Sequence, residues 1–273
     1  MKPLNSYKII IPDINTLNLD ITLDCGQCFR WKKSNNAWQG IVNDNIITVY
    51  NKNSDLIIES FKPIKKDLIL NYFDLTRNYA KILDVLKQDT VMLNALSEFN
   101  GIHILNQPPW EALCSFIISQ NNNIPRIKGI ITRLCKAFGE HIKDDTFTFP
   151  SAEIIASLNE SELDILRAGF RTKYILDAAK KITSGQVDFS FIKTLPYNDA
   201  SVYLQQIKGV GPKVADCVLL FSLGFFNAFP EDVWIKRAIL KYYPGGLPLF
   251  LVPYGGLVQQ YIYHYSRMHD KSF

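Results

Sequence analysis

The sequence predicts an α+β protein, with a sheet-rich N-terminal unit followed by a helical C-terminal unit. The first hundred residues contain short β-branched segments separated by Asn, Asp and Pro. From about Leu68, apolar residues recur every three or four positions, which is the period of a helix. Beyond Pro109, helical segments follow one another through short connections. We place the boundary so that the two units span residues 1–106 and 107–273.

Four segments of the first unit predict the strands of an antiparallel sheet. They are SYKIIIPDI (6–14), LDITLDC (19–25), IITVYN (46–51) and DLIIES (55–60). The stretch AWQGIVNDNIITVY (37–50) predicts a hairpin that turns at NDN.

Nine segments beyond Pro109 predict helices, and we expect no strand among them. They are WEALCSFIISQ, NIPRIKGIITRLCKAFG, SAEIIASLN, ESELDILRAG, TKYILDAAKKITSG, DASVYLQQI, KVADCVLLFSLG, DVWIKRAILKYY and GLVQQYIYHYSRM.

Composition and charge limit the class of protein. The 273 residues include 30 Lys and Arg against 26 Asp and Glu, a net charge of +4 that permits a nucleic-acid partner without requiring one. The start, MKPLNSYKIIIPDI, lacks the long apolar run of a signal peptide. No segment approaches the roughly 20 apolar residues of a membrane span. Five cysteines without a secretion signal predict reduced thiols, in a bacterial-type cytosol or a nucleus.

Cys25 and Cys28 form a CxxC that could be a redox pair or half of a zinc site. No second CxxC or paired His follows, so we favour a structural role for both. Cys114, Cys135 and Cys217 are too scattered for an iron–sulfur cluster. We therefore expect no metal and no cofactor.

The stretch GVGPKVADC (209–217) predicts a helix–hairpin–helix. One helix ends at Ile207, and the next begins near Pro212, a residue suited to a first turn. Gly209 and Gly211 would let a phosphate approach the backbone N–H groups at the positive end of the second helix. Alternatively, the glycines only connect two helices. The spacing excludes a nucleotide P-loop.

Two further residues suggest chemistry at this hairpin. Lys213 and Cys217 lie one helical turn apart, so their side chains share a face. Asp232 directly precedes the helical run VWIKRAILKYY, where it is expected to cap the helix. Hydrogen bonds from helix N–H groups stabilise an ionised carboxylate. A fixed carboxylate near an amine suits a cationic sugar transition state.

Five motifs in order resemble the eukaryotic-type 8-oxoguanine DNA glycosylases of the helix–hairpin–helix, Gly/Pro-rich, Asp superfamily. They are CGQCFRW (25–31), FIISQNNNIPRI (116–127), GFRTKY (169–174), the hairpin segment 205–241 and PYGGLVQQYIY (253–263). The resemblance covers nearly the whole chain. It implies a TATA-binding-protein-like N-terminal sheet followed by an all-α helix–hairpin–helix glycosylase core.

The resemblance also implies a reaction and its catalytic residues. Lys213 matches the family nucleophile, whose neutral amine attacks C1′ of the flipped nucleotide and forms a Schiff base before β-elimination nicks the strand. Asp232 matches the catalytic aspartate. The expected enzyme is therefore a bifunctional glycosylase and AP lyase that acts in base excision repair.

The base-binding residues are implied in the same way. The Gly26 carbonyl is expected to accept from N7–H of 8-oxoguanine, a hydrogen that guanine lacks. Gln259 matches the reader of the Watson–Crick edge. Tyr263 matches an aromatic stacker, usually Phe in the family, and Cys217 is expected on the other face of the base. Core packing is the alternative role for Tyr263 and Cys217.

The implied contacts to the opposite base form a second group. Asn121, Arg126 and Arg171 match residues that fill the gap and contact the orphaned cytosine, and Phe170 replaces the wedge tyrosine. Trp234 departs from the family, which has His there, so Lys236 or Arg237 would have to supply the phosphate contact. The predicted partner is duplex DNA containing 8-oxoguanine, bound by a monomer with no membrane contact.

Two rival functions have distinct signatures. An alkylated-base glycosylase lacks the lysine at position 213, and an adenine glycosylase of this superfamily carries iron–sulfur cysteines. A non-catalytic helix–hairpin–helix module would need neither Lys213 nor Asp232.

Overall fold

The N-terminal unit is built on a five-stranded antiparallel sheet with the strand order β1-β5-β4-β3-β2. The structure is a computed structural model and describes residues 7–269. The strands are β1 (Tyr7–Ile11), β2 (Trp31–Ser34), β3 (Ala37–Val42), β4 (Asn45–Lys52) and β5 (Asp55–Ser60). The first six residues of the N-terminal stretch MKPLNSYKIIIPDI, in which we found no signal-peptide pattern, lie outside the described residues.

The predicted hairpin is confirmed. Val42 pairs with Asn45, and Asn43 takes a positive φ of 56° at the turn, a conformation that asparagine tolerates. Alternate residues of β4, such as Ile47 and Val49, are fully buried, which is the period-two pattern of a sheet with one covered face.

Two predictions for this unit are wrong. The segment 19–25 is not a strand: α1 (Leu19–Leu23) forms there, because Asn18 Oδ1 accepts from the backbone N of Asp20 and Ile21, and Leu19 and Leu23 are buried one turn apart. The CxxC therefore follows a short helix rather than lying in the sheet. Strand β2, which was not predicted, is the short edge strand of the sheet.

The remaining helices form the bulk of the protein. They are α2 (Lys66–Tyr72), α3 (Tyr79–Leu86), α4 (Thr90–Glu98), α5 (Pro109–Ser119), α6 (Ile124–Phe138), α7 (Ala152–Ala156), α8 (Arg171–Thr183), α9 (Phe189–Ile192), α10 (Tyr197–Leu204), α11 (Pro212–Phe221), α12 (Val233–Tyr242) and α13 (Gly255–His269). Side chains of α3 and α4 belong to the core of this helical unit. The division at 106/107 stays a prediction.

The expectation that only helices follow Pro109 is wrong in detail. A two-stranded hairpin, β6 (His141–Lys143) and β7 (Thr146–Phe147), follows α6. The segment ESELDILRAG forms a 3₁₀ helix (Ser161–Leu166). Helix α10 ends at Leu204 and continues as turns to the hairpin, while α11 begins at Pro212 as predicted.

Buried polar contacts join the sheet unit to the helical unit. Arg30 Nη1 lies 3.1 Å from Glu111 Oε2 of α5, and Arg30 Nη2 donates to the Phe147 carbonyl. Burial raises the pKa of Glu111, although Arg30 opposes the shift. None of the described helices is long and apolar enough to cross a membrane.

Candidate active site

Lys213 lies on the first turn of α11, half-buried above α5. Its Nζ is 3.5 Å from Ser119 Oγ and 5.6 Å from the ring centroid of Phe116. Pro212 at the start of α11 and Gly211 as its N-cap position the first turn. The amine of Lys213 therefore lies beside the ring of Phe116 and the hydroxyl of Ser119 on one side.

Cys217 lies one turn further along α11 and is almost fully buried. Burial raises the pKa of its thiol to about 11, although Lys213 opposes that shift. The thiol is therefore neutral near pH 7. This state suits a packing surface and not a thiolate nucleophile.

Asp232 caps α12, as predicted. Its Oδ1 accepts from the backbone N of Trp234 at 3.0 Å and of Ile235 at 2.8 Å. Both bonds use one oxygen, and Oδ2 accepts no hydrogen bond from the described residues. No ion pair between Lys213 and Asp232 is present in residues 7–269. The carboxylate is thus fixed by the helix and not neutralised by the lysine.

Tyr263 of α13 lies within electrostatic reach of both the Cys25 loop and the start of α12. Burial raises the pKa of its hydroxyl, with Arg267 lowering it and the nearby Asp232 and Cys25 raising it further. The same Asp232 charge raises the pKa of Cys217. Asp232, Cys217, Tyr263 and the loop at Cys25 therefore lie within electrostatic reach of one another.

Gly26 follows α1 in a loop that Gln27 holds in place. Gly26 has a φ of +82°, which favours glycine, and a Cβ there would meet nothing within 4 Å. Gln27 is fully buried: its Nε2 donates to the carbonyls of Thr22 and His103, and its Oε1 accepts from Leu105 N, each at 2.9 Å.

The carbonyl of Gln27 is also occupied, because Gln107 Nε2 donates to it at 2.6 Å. The peptide between Gln27 and Cys28, one residue beyond the Gly26 carbonyl, therefore has a fixed orientation. The thiols of Cys25 and Cys28 donate to the carbonyls of Thr22 and Leu23.

Gln259 lies buried on α13, next to Gln260. Gln260 Nε2 donates to Gln259 Oε1 at 2.7 Å. Tyr263 follows one turn later on the same helix.

The two hairpin glycines serve different purposes. A Cβ on Gly209 would lie 2.2 Å from the Tyr174 ring, and its φ is +80°, so glycine is required there by packing and by backbone conformation. A Cβ on Gly211 would meet nothing within 4 Å. The open approach to the α11 N-terminus is therefore at Gly211.

Asn121, Arg126 and Phe170 are exposed on a second part of the site. Asn121 takes a φ of +46° in the loop between α5 and α6, and Asn123 Oδ1 caps α6 by accepting from Arg126 N at 3.0 Å. The side chain of Phe170 is 46% exposed and lies edge-on to Tyr174.

Arg171 is buried, with 3% exposure, and it holds the loop that carries Asn121. Nε and Nη2 both donate to the Gln120 carbonyl, Nη2 donates to the Asn121 carbonyl at 3.0 Å, and Nη1 donates to Ala168 at 3.1 Å. Four of its five N–H groups are therefore used within the protein. Burial lowers the pKa of Arg171, and the nearby Arg126 charge lowers it further.

Trp234, the departure from the family pattern, lies on the first turn of α12. Its ring centroid is 5.2 Å from the Arg237 guanidinium carbon, a cation–π distance. Arg237 and Lys236 both lie exposed on the same helix. Both cations are therefore on the surface of α12 beside Trp234.

Sequence reasoning missed the residues that contact Lys213 from across the fold. Phe116 and Ser119 are separated from it by more than ninety positions, and no spacing rule connects them. Gln27 lies inside the CGQCFRW motif, and its contacts to Thr22, His103 and Leu105 were not predicted.

A cavity of about 910 Å³ lies away from these residues, between β2–β3 and α6. Three of its lysines are paired with acids, Lys33 with Asp20, Lys128 with Asp24 and Lys136 with Asp145. None of the predicted site residues lines it. No group of three or more His, Cys, Asp or Glu side chains in residues 7–269 could hold a metal ion.

Two family models together match most of the chain. The 8-oxoguanine DNA glycosylase N-terminal domain matches residues 9–113, and the HhH-GPD superfamily base excision DNA repair protein matches residues 114–245. An N-glycosylase/DNA lyase of Saccharomyces cerevisiae is 34% identical over 193 residues, 65% of this chain and 51% of that protein. The chain thus spans about half the length of this relative.

Solved structures match over nearly the full length. One, described as MBOgg1 in complex with a low-affinity DNA ligand, is 37% identical with a TM-score of 0.91, and the match covers 98% of this chain and 99% of that one. A second is the Clostridium acetobutylicum 8-oxoguanine glycosylase/lyase in complex with dsDNA containing cytosine opposite to 8-oxoG. It is 31% identical with a TM-score of 0.88, and the match covers 97% of this chain and 98% of that one. The sequence motifs, the sheet-plus-helix architecture and these matches agree, and the chain belongs to the 8-oxoguanine DNA glycosylase family of the HhH-GPD superfamily.

Proposed function

We propose that this chain is a bifunctional DNA glycosylase and AP lyase that removes 8-oxoguanine from duplex DNA in base excision repair. The observation that carries the proposal is the grouping of Lys213, Cys217, Asp232 and Tyr263 beside the Gly26 loop. The names of the yeast and Clostridium relatives support it.

Lys213 acts as the nucleophile. Its neutral amine attacks C1′, and the bond from C1′ to the base breaks with its electron pair leaving on the base. The proton lost from Nζ neutralises the departing base. Opening of the sugar gives a Schiff base, and loss of a C2′ proton then expels the 3′-phosphate, which nicks the strand.

Asp232 stabilises the positive charge that develops on the sugar as the base departs. A carboxylate already held by two helix N–H groups needs no reorganisation during the reaction. Among the described residues it forms no ion pair with Lys213, so its charge remains available to the sugar.

The Gly26 loop and Gln259 select the base. In 8-oxoguanine N7 carries a hydrogen, which the Gly26 carbonyl can accept, whereas guanine presents a lone pair there. A polar group left unsatisfied costs about 1–3 kcal/mol, which is enough to disfavour guanine. Tyr263 and Cys217 cover the two faces of the flipped base.

Arg126, Asn121, Phe170 and Arg171 form the side that faces the orphaned cytosine. Arg126 is exposed and can donate to O2 and N3 of cytosine. Arg171 is buried and holds the loop that positions Asn121, and Phe170 wedges beside the orphaned base. Adenine presents an N6 donor where Arg126 needs an acceptor, so excision opposite cytosine is preferred.

The α11 N-terminus beside Gly211 binds a backbone phosphate without reading sequence. Since one chain supplies both the base pocket and the opposite-base side, we expect a monomer to suffice. The reaction belongs where duplex DNA is held, in a bacterial-type cytosol or a nucleus.

Borohydride trapping tests the function directly. Borohydride should capture a covalent adduct on a duplex with 8-oxoguanine opposite cytosine, and none on the undamaged duplex. An alkylated-base glycosylase or a non-catalytic DNA-binding module would give no adduct on either duplex. If the protein binds DNA but no adduct is trapped, an alkylated-base glycosylase or a non-catalytic DNA-binding module is favoured instead.

A further inference from the structure

Gln260 makes a contact that the function proposed above does not use. It is 4% exposed on α13, and its Nε2 donates to Oε1 of Gln259 at 2.7 Å. Nε2 of Gln259 donates no hydrogen bond to the described residues. The oxygen of the Gln259 amide is therefore bound by Gln260, whereas its NH₂ group is not.

The orientation of a glutamine amide decides which purine edge it can read. Guanine-type edges present the O6 acceptor beside the N1–H donor, whereas adenine-type edges present the N6–H donor beside the N1 acceptor. An amide turned by 180° exchanges its donor and acceptor and so changes the edge that it complements. A glutamine amide that is free to turn would therefore bind both guanine-type and adenine-type edges.

The Gly26 carbonyl cannot make this distinction. Both 8-oxoguanine and 8-oxoadenine carry a hydrogen on N7, so a carbonyl acceptor at that point treats them alike. Discrimination between the two lesions must come from the Watson–Crick edge.

We propose that Gln260 is a positioning residue that locks the Gln259 amide in one orientation and restricts the site to guanine-type edges. The proposal rests on the proposed role of Gln259 as the reader of that edge. Oε1 has two lone pairs, so it can accept from Gln260 and from N1–H of the base together, while Nε2 donates to O6. Turning the Gln259 amide alone would bring two NH₂ groups together.

A joint turn of the two amides is also disfavoured. Gln260 Oε1 and His264 Nε2 are both buried without a hydrogen-bond partner in the described structure, and the two residues lie one turn apart on α13. Burial lowers the pKa of His264 to about 4, so the ring is neutral near pH 7. The two atoms do not bond each other, and turning both amides together would bury the NH₂ group of Gln260, which carries two donors, where Oε1 now lies without a partner.

A double-mutant cycle tests the lock. Gln259→Leu, Gln260→Met and the double variant are compared with the parent for single-turnover excision of 8-oxoguanine and of 8-oxoadenine in the same duplex. Gln260→Met should lower the 8-oxoguanine preference by about threefold to tenfold, which is what one hydrogen bond contributes. In the Gln259→Leu background the same change should leave the preference unaltered, because no amide remains to be oriented.

Two controls separate selectivity from folding. Gln39→Met makes the same change at an exposed position of β3 and should alter neither rate. Melting temperatures of all variants identify a folding defect, and Gln260→Leu serves as a second apolar replacement if Gln260→Met unfolds.

The outcomes are distinguishable. An unchanged lesion preference in Gln260→Met, with Gln259→Leu lowering 8-oxoguanine excision, overturns the lock but keeps Gln259 as the reader. Equal loss of both rates in Gln260→Met also overturns it, since that indicates a structural role alone. If Gln259→Leu leaves excision and preference unaltered, the proposed role of Gln259 fails and the lock fails with it.

Discussion

The proposed base side of the site and its proposed opposite-strand side differ in how firmly the protein holds their functional groups. On the base side, which comprises Gly26, Lys213, Cys217, Asp232 and Gln259, each group lies beside a named partner or is fixed by its backbone. On the opposite-strand side, Asn121, Arg126 and Phe170 are exposed, and buried Arg171 holds the loop beneath them.

This difference indicates where preorganisation matters. Transition-state stabilisation requires groups that are already in position, since reorganisation during the reaction raises the barrier. Contact with an orphaned base requires exposed donors, which DNA itself can order on binding. We therefore expect substitutions on the base side to affect the chemical step and those on the opposite-strand side to affect discrimination.

The largest effect is expected at Lys213. Lys213→Gln removes the nucleophilic amine but keeps a polar side chain, so the trapped adduct should disappear while binding to lesion DNA persists. Gel analysis after borohydride treatment measures the adduct. The control is Lys193→Gln, which makes the same change at an exposed lysine directly after α9. An adduct with Lys213→Gln would assign the nucleophile to another residue.

The next effect is expected at Asp232. Asp232→Asn keeps an oxygen to cap α12 but removes the charge, so single-turnover base release should slow by about a hundredfold with little change in melting temperature. Asp188→Asn makes the same change at the N-cap of α9 and should alter neither. A large melting-temperature drop with near-normal excision per folded molecule would leave Asp232 as an N-cap only.

A smaller, selective effect is expected on the opposite-strand side. The parent should excise 8-oxoguanine opposite cytosine at least about tenfold faster than opposite adenine, and Arg126→Ala should reduce that ratio. Single-turnover rates across the four opposite bases measure it. Equal parent rates opposite cytosine and adenine would contradict the proposal, and uniform weakening of binding in Arg126→Ala would indicate a phosphate contact.

Arg171→Ala should differ from Arg126→Ala in its effect on stability. It leaves the carbonyls of Ala168, Gln120 and Asn121 without their donor, so its melting temperature should fall well below that of Arg126→Ala. Thermal unfolding of both variants measures the difference. Equal melting temperatures would show that Arg171 does not hold the loop.

The smallest effect concerns a buried acid behind Lys213. Burial is the main cause that raises the pKa of Asp216, and the Glu231 charge adds to it. Hydrogen bonds from Tyr197 and Ser201 oppose the shift, and the resulting pKa is about 6. The folded state therefore holds this proton more tightly than the unfolded state. The stability that this provides is present below about pH 4 and is lost as pH rises through about 6.

Asp216→Asn tests this linkage. An amide cannot ionise, so the melting temperature of the variant relative to the parent should increase between pH 4 and pH 7. A difference that does not vary with pH would show that Asp216 keeps its usual acidity.

Much of this fold could be predicted from local patterns. The β3–β4 hairpin follows from alternating residues around an Asn-rich turn, and α11 from Pro212 after two glycines. The errors came at short segments. Residues 19–25 have few positions over which to distinguish a two-residue from a 3.6-residue period, and their N-cap decided the outcome. The β6–β7 hairpin is too short to carry a periodic signal.

The sequence by itself determined the fold class and the helix–hairpin–helix, because these depend on residue types at short spacings, and the resemblance of its motifs to a known family supplied the candidate nucleophile and carboxylate. Only the tertiary structure decided what surrounds them. Phe116 and Ser119 reach Lys213, Gln107 reaches the Gln27 carbonyl, and Arg171 turns inward to the Asn121 loop through contacts between distant parts of the chain. Such contacts follow from packing in three dimensions, where a side chain's partner is set by burial and hydrogen-bond satisfaction and not by its place in the chain.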